Sequence, residues 1–230
     1  MFSHKLINFC LLILFFTPLR AEDFSIDNSI EKQRMGEIFV KAKPGAVVNV
    51  EQLSHEFWFG CAISDKIFDG RATAYNQKMY KEKFLQNFNS AVTENAVKWY
   101  SMQRQKGPVR YELVDAMLKW TEENEIPLRA HNLFWGIEKY VQPWLKELPD
   151  EELEQTMKNR AETVTARYKG RFEEYDLNNE MIHGNYYKER LGEDITKNMA
   201  KWAHNGDPGI RLYLNDYDIL TGNKLNEYMA

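Results

Sequence analysis

The chain has 230 residues, with 30 basic side chains against 34 acidic ones and a formal net charge of -4. That length suits one large domain or two small ones, and the balance of charge leaves no electrostatic footprint for nucleic acid or an anionic membrane surface. The two cysteines, Cys10 and Cys61, are too few for a disulfide framework or a cysteine-based metal site.

In chain order, the first segment has the make-up of a secretory leader. Lys5 precedes an apolar run, Leu11-Leu12-Ile13-Leu14-Phe15-Phe16, and Thr17-Pro18-Leu19-Arg20-Ala21 follows it. The run is too short for an ordinary membrane-spanning helix, and no second one follows. Cleavage is expected near Ala21, which makes residues 1–21 a signal peptide, removes Cys10 and sends the protein out of the cell as a secreted, extracellular product. Residues 22–56 are expected to form an N-terminal β extension. In it Glu37-Ile38-Phe39-Val40 and Val47-Val48-Asn49-Val50 form a hairpin around Lys43-Pro44-Gly45.

From Phe57 the pattern changes to alternating strands and helices. Strands are expected near residues 59–63, 88–92, 128–130, 172–177 and 211–214, and helices near 76–89, 110–124, 150–169 and 186–205. Within the third helix Leu153, Met157, Ala161, Val164 and Tyr168 recur at helical spacing, with Asp150 as the expected N-cap and Gly170 as the stop. Cys61, inside an apolar strand, is expected to be a buried, inert small hydrophobe. Alternation of this kind argues for a parallel sheet with crossover helices.

Several expected strands end in polar side chains. Val92 gives way to Thr93-Glu94-Asn95 and Lys98-Trp99, Ala130 to His131-Asn132-Leu133-Phe134-Trp135, Leu177 to Asn178-Asn179-Glu180, and Leu214 to Asn215-Asp216-Tyr217. Strand interiors select apolar and β-branched residues, so an amide and an acid crowding a strand's C-terminal end point to a site. In a (β/α)8 barrel all these ends meet on one face.

These four motifs, in this order and spacing, resemble the successive signatures of glycoside hydrolase family 10, which comprises mainly endo-β-1,4-xylanases. The resemblance runs from about Phe57 to the C-terminus and departs from the usual pattern at Ala130 and Asn132, where Gly and Thr are common in the family. It implies an α/β fold, specifically part of a (β/α)8 TIM barrel over residues 57–230. It also implies retaining hydrolysis of internal β-1,4-xylosidic bonds, with Glu180 as general acid/base and Asn179 bonding the sugar 2-hydroxyl. His131 and Trp135 would line the subsite before the scissile bond, and Glu94, Asn95 and Lys98 would hold the next sugar out. The residue types suit the chemistry. A leaving alkoxide needs a proton from a carboxyl group that later acts as a base. Amides bond hydroxyls without titrating, Lys98 offers a fixed donor, and a Trp ring packs on the C–H face of a pyranose.

Each residue also has a plainer role open to it. Glu94 and Lys98 fit an i, i+4 surface ion pair, His131 a satisfied core histidine, Trp99 and Trp135 core packing, and Glu180 a helix cap. His183, His204 and Met181 receive no site role. No His-Glu-x-x-His spacing appears, so neither metal nor cofactor is expected. The expected partner is xylan or a related β-1,4-linked plant polysaccharide, bound by a monomer without nucleic acid and, after leader cleavage, without a membrane.

A complete barrel takes ~250 residues, and a βα unit with its next strand roughly 30, so about five of the eight units fit between Phe57 and Ala230. The family's nucleophilic Glu is therefore expected on a later strand, beyond Ala230, which leaves hydrolysis by this stretch alone without its second carboxylate. Two alternatives stay open: a noncatalytic remnant that binds xylan or xylo-oligosaccharides, and a β-1,4-glucanase on a related barrel.

Overall fold

In the computed structural model, which describes residues 26–222 and 226, five short strands form one parallel sheet in sequential order. They are β1 (Gly60–Ile63), β2 (Ser90–Thr93), β3 (Leu128–Trp135), β4 (Glu174–Asn179) and β5 (Leu212–Asn215). The helices are α1 (Ile26–Arg34), α2 (Ala74–Asn87), α3 (Trp99–Met102), α4 (Glu112–Glu123), α5 (Pro143–Lys146), α6 (Asp150–Arg167), α7 (Tyr186–Leu191) and α8 (Ile195–Gly206). Helices between every pair of neighbouring parallel strands make the α/β arrangement of an incomplete (β/α) barrel, as expected from the sequence. The signal peptide expected over residues 1–21, with Cys10, lies outside the described residues. No described helix is long and apolar enough to cross a membrane.

The chain divides into two compact units between Leu53 and Ser54. In the first, the expected hairpin does not form. Residues 35–53 contain no strand, and the described order in this unit is the helix α1 before them and a turn in which the Ala46 amide donates to the Lys43 carbonyl at 3.1 Å with Gly45 at φ +83°. Ile38, Phe39, Val47 and Val50 are all exposed, so neither apolar run gains the buried face that would select a register.

In the second unit the helical periodicity works as expected. Val114, Met117, Leu118 and Thr121 on α4, Leu153, Met157, Ala161 and Val164 on α6, and Ile195, Met199, Trp202 and Ala203 on α8 are buried at i, i+3 and i+4 spacing. They pack with Leu128, Ala130, Phe134, Tyr175 and Leu177 in one core cluster on the helix side of the sheet. Two boundaries differ in detail. Pro149, not Asp150, occupies the N-cap of α6, so Asp150 joins Glu151 and Glu152 in the first turn, where acids interact favourably with the positive end of the helix dipole. The expected helix over residues 186–205 is two helices, because Gly192 adopts φ +92°, a left-handed value that ends α7 and reorients the chain into α8.

Burial follows position in the sheet. Every residue of β4, which has a strand on both sides, is buried, whereas Gly60, Cys61 and Ala62 of edge strand β1 are exposed. Cys61 is thus an exposed thiol, not the buried hydrophobe its apolar neighbours suggest, because β1 has a strand partner on one side only. The sheet is also irregular where it matters. β3 and β4 pair His131 with Asp176 and then Phe134 with Asn178, and β4 and β5 shift register between Asp176 and Asn178. A bulge breaks the strict alternation of side chains.

Candidate active site

The two bulges decide which side chains meet. Along β4, Tyr175 and Leu177 point into the helix-side core while Asp176 faces the other way, towards Arg129 and His131. Simple alternation would send Asn178 with Asp176 and Asn179 with Leu177. Instead Asn178 donates to Thr196 Oγ1 on α8 at 3.2 Å, and Asn179 Oδ1 accepts from the Asn215 amide of β5. On β3, Phe134 lies in the core with Ala130, against Trp99 and Tyr187, and the shifted register pairs Trp135, which faces the site, with Asn179.

Glu180 stands one residue past β4 in the left-handed region, φ +53°. Its amide donates to the Asn215 carbonyl at 2.9 Å, and its carboxylate Oε2 accepts from the Trp135 indole N–H at 2.9 Å. Lys98 Nζ lies 4.7 Å from the centroid of the same Trp135 ring and donates to Asn95 Oδ1 at 3.1 Å, an oxygen that also accepts from the Tyr100 hydroxyl at 3.1 Å. A continuous polar path therefore runs from Glu180 through Trp135 and Lys98 to Asn95. Burial pulls the Lys98 ammonium below its ordinary value, and the carboxylates of Glu180, Glu94 and Asp65 oppose that pull.

Glu94 is exposed and opens onto a polar cavity of about 550 Å³ lined with Asn95, Asp65, Tyr100, Arg104 and others. No Glu94–Lys98 ion pair forms among the described residues, so the i, i+4 reading of that spacing fails: the chain leaves β2 through a turn, and Lys98 caps α3 instead of lying on a helix with Glu94. His131 is held from below, its Nδ1 at 2.7 Å from Asp176 Oδ2, while Arg129 Nε donates to Asp176 Oδ1 at 3.0 Å and Arg129 Nη1 to Glu174 Oε2 at 3.1 Å. With Nδ1 bonded to a carboxylate, the ring presents its Nε2 edge. Trp99, by contrast, is core, 4% exposed against Phe134 and Trp144.

A family model described as "Glycosyl hydrolase family 10" matches residues 49–230. The chain belongs to that family. It is 39% identical over 178 residues to endo-1,4-beta-xylanase 1 of Arabidopsis thaliana, an alignment covering 77% of this chain and 18% of that protein. It is 34% identical over 171 residues to the anti-sigma-I factor RsgI6 of Acetivibrio thermocellus, covering 74% and 22% respectively. Among solved structures, a GH10 endoxylanase retrieved from a sugarcane soil metagenome superposes with a TM-score of 0.66 at 25% identity, over 74% of this chain and 51% of that one. The chain thus spans less than a quarter of those two relatives and about half of that structure.

Six of the seven residues expected at the site of this family 10 chain lie at or just beyond the C-terminal ends of β2, β3 and β4, with His131 inside β3, and Asn95, Lys98, Trp135 and Glu180 are linked by direct contacts. His131 and Asn179 are tied to Asp176 and Asn215, and Glu94 sits at the outer cavity. Sequence reasoning missed the supporting side chains. Tyr140 stacks on Trp135 with ring centroids 3.9 Å apart, and Tyr100 lies 6.3 Å from Tyr140, so Trp135 belongs to an aromatic platform. The available signal was aromatic residues among polar neighbours, a pattern that many surface and core segments share.

Proposed function

We propose that this chain carries the general acid/base and the sugar-binding face of an endo-acting, retaining β-1,4-xylanase. Glu180 donates a proton to the departing glycosidic oxygen, then as a carboxylate takes a proton from the water that releases the glycosyl-enzyme. Asn179 bonds the sugar 2-hydroxyl, His131 and Trp135 line the subsite before the scissile bond, and Glu94, Asn95 and Lys98 hold the next sugar. The single observation that carries this reading is the path from Glu180 through Trp135 and Lys98 to Asn95, a proton-transfer carboxylate joined to neutral and cationic hydroxyl donors along one aromatic platform.

A retaining mechanism needs a second carboxylate about 5–5.5 Å from the acid/base. No described residue is assigned that role, and the nucleophile is proposed to lie on a later strand of the family's barrel. The protein is further proposed to be secreted after cleavage near Ala21 and to act as a monomer. N-terminal sequencing of the secreted product and light scattering test these points. Calorimetric titration with xylohexaose and cellohexaose tests the substrate class: binding of the xylan fragment that weakens in Trp135→Ala supports it, preference for the glucan fragment favours a β-1,4-glucanase, and binding of neither overturns it.

Sugar binding without turnover is a second reading, supported by the similarity to a protein named as an anti-sigma factor. Release of reducing sugar from xylan by the 230-residue chain, lost in Glu180→Gln, excludes it.

A further inference from the structure

The turn that follows Glu180 is held from two sides by groups with no role in the sugar path. Residues 180–184 fold back on themselves, with the His183 and Gly184 amides donating to the Glu180 carbonyl at 3.0 and 2.9 Å. On one side the turn presses against the end of β3. The Tyr186 amide donates to the Gly136 carbonyl at 3.1 Å, and a Cβ on Gly184 would lie 2.4 Å from the Ile137 amide nitrogen. On the other side stands Asp216, just after β5. Its side chain is 1% exposed, yet the carboxylate is fully engaged: Oδ2 accepts from the Ile182 amide at 2.9 Å, and Oδ1 lies 2.6 Å from His183 Nδ1 and accepts from the Tyr217 amide at 3.0 Å. The His183 ring in turn stacks on Tyr217, centroids 3.6 Å apart at 14°.

A buried carboxylate directed at one amide and one imidazole of a neighbouring turn has to be doing something for that turn, because a lone buried charge is costly and such groups persist where they are bonded. Glu180, a residue with a Cβ, sits at φ +53°, a backbone state that survives where its surroundings over-determine it. We propose that Asp216 and His183 form a clamp that fixes the backbone of the Glu180 turn and so holds the Glu180 carboxylate against the Trp135 indole. Asp216 is a positioning residue. It touches neither Glu180's carboxylate nor the sugar path, and it acts through residues 182 and 183. The catalytic meaning of that position rests on Glu180 being the acid/base, but the clamp itself does not.

The test uses the full ¹⁵N-labelled chain without sugar. The Trp135 indole N–H resonance, assigned by its loss in Trp135→Phe, reports the bond to Glu180, and Glu180→Ala gives its position when that bond is absent. Asp216→Ala is expected to move the resonance at least half of the way to the Glu180→Ala position, and His183→Ala to move it less in the same direction. Asp115→Ala, which removes bonds to Arg167 and Tyr168 away from the site, should lower the melting temperature and leave the resonance in place. A folded Asp216→Ala protein whose indole resonance stays at the wild-type position overturns the proposal. Should Asp216→Ala fail to fold, an unmoved resonance in His183→Ala overturns it equally. Because no sugar is present, failure of the clamp and failure of xylan binding are separate results.

Discussion

Asp176→Asn is the most informative single change at the base of the site. Asp176 is 3% exposed and its two oxygens take three contacts, two from the Arg129 guanidinium and one from His131 Nδ1. The asparagine side chain has the same shape but no charge, and one of its two terminal atoms is a donor. The Arg129 guanidinium keeps its charge, so its two bonds lose only the ion-pair part while the His131 contact becomes neutral, and at ~1 kcal/mol for each of the three weakened contacts the cost is roughly 3 kcal/mol. Breaking one partner of a buried ion pair costs about 3–5 kcal/mol in general, which agrees. Glu174 remains bonded to Arg129 Nη1 at 3.1 Å, so the guanidinium keeps part of its compensation and the lower figure is expected. At ~2–4 °C per kcal/mol for a unit of this size, the melting temperature should fall by roughly 6–12 °C. The measurement is thermal and urea unfolding followed by circular dichroism at neutral pH, with Glu174→Gln beside it as a control that disturbs one hydrogen bond to Arg129 and a 3.9 Å ion pair with Arg211 and should cost about 1 kcal/mol. The same variant puts an amide donor in place of the carboxylate acceptor at His131 Nδ1 and so shifts the ring's tautomer, and xylo-oligosaccharide affinity should fall even where the protein is fully folded. Asp176→Asn within 1 kcal/mol of the parent, or Glu174→Gln costing as much as Asp176→Asn, would refute the view that Asp176 anchors both Arg129 and His131.

Other expectations follow from separate features. Lys98→Met should weaken xylo-oligosaccharide binding by about tenfold or more, since the lost donor is charged and half-buried, with titration calorimetry as the readout. Burial lowers the folded-state value of Lys98 below 10.5, so the unfolded chain binds the extra proton across that window. The penalty is therefore full below the window and relieved as pH rises through it, and the stability of wild type relative to Lys98→Met should climb towards pH 10.5; a flat difference refutes the burial argument. Gly184→Ala places a Cβ 2.5 Å from Ile137 Cγ1 and should cost ~1–3 kcal/mol in urea unfolding; an unchanged midpoint would mean the turn is free to move away from Ile137. Cys61 is exposed, so native protein should release one more equivalent of chromophore from Ellman's reagent than Cys61→Ser does, and that substitution should change stability by no more than ~0.5 kcal/mol.

Much of this protein was legible in one dimension. Helical spacing is a local property, so periodicity located α4 and α6 to within a few residues and found the helical stretch that Gly192 divides into α7 and α8, and polar motifs at strand ends marked the segments of the candidate site. The sequence alone therefore determined the α/β class and the chain order of the strands, and it nominated the seven candidate residues. It failed where the outcome depends on neighbours distant in the chain. The runs at residues 37–40 and 47–50 have strand composition, but strand formation needs a partner face to bury against, and none is supplied among the described residues. Cys61 has buried-strand composition yet occupies an edge. Above all, alternation along β4 would have placed Asn179 on the wrong face. Only the matched register shifts between β3, β4 and β5 bring Trp135, Asn179 and Asn215 together beneath Glu180. Composition and period select which elements form, because those are local free energies. Which side chains meet at a sheet's end is set by register across strands, and that is decided only when the strands pair.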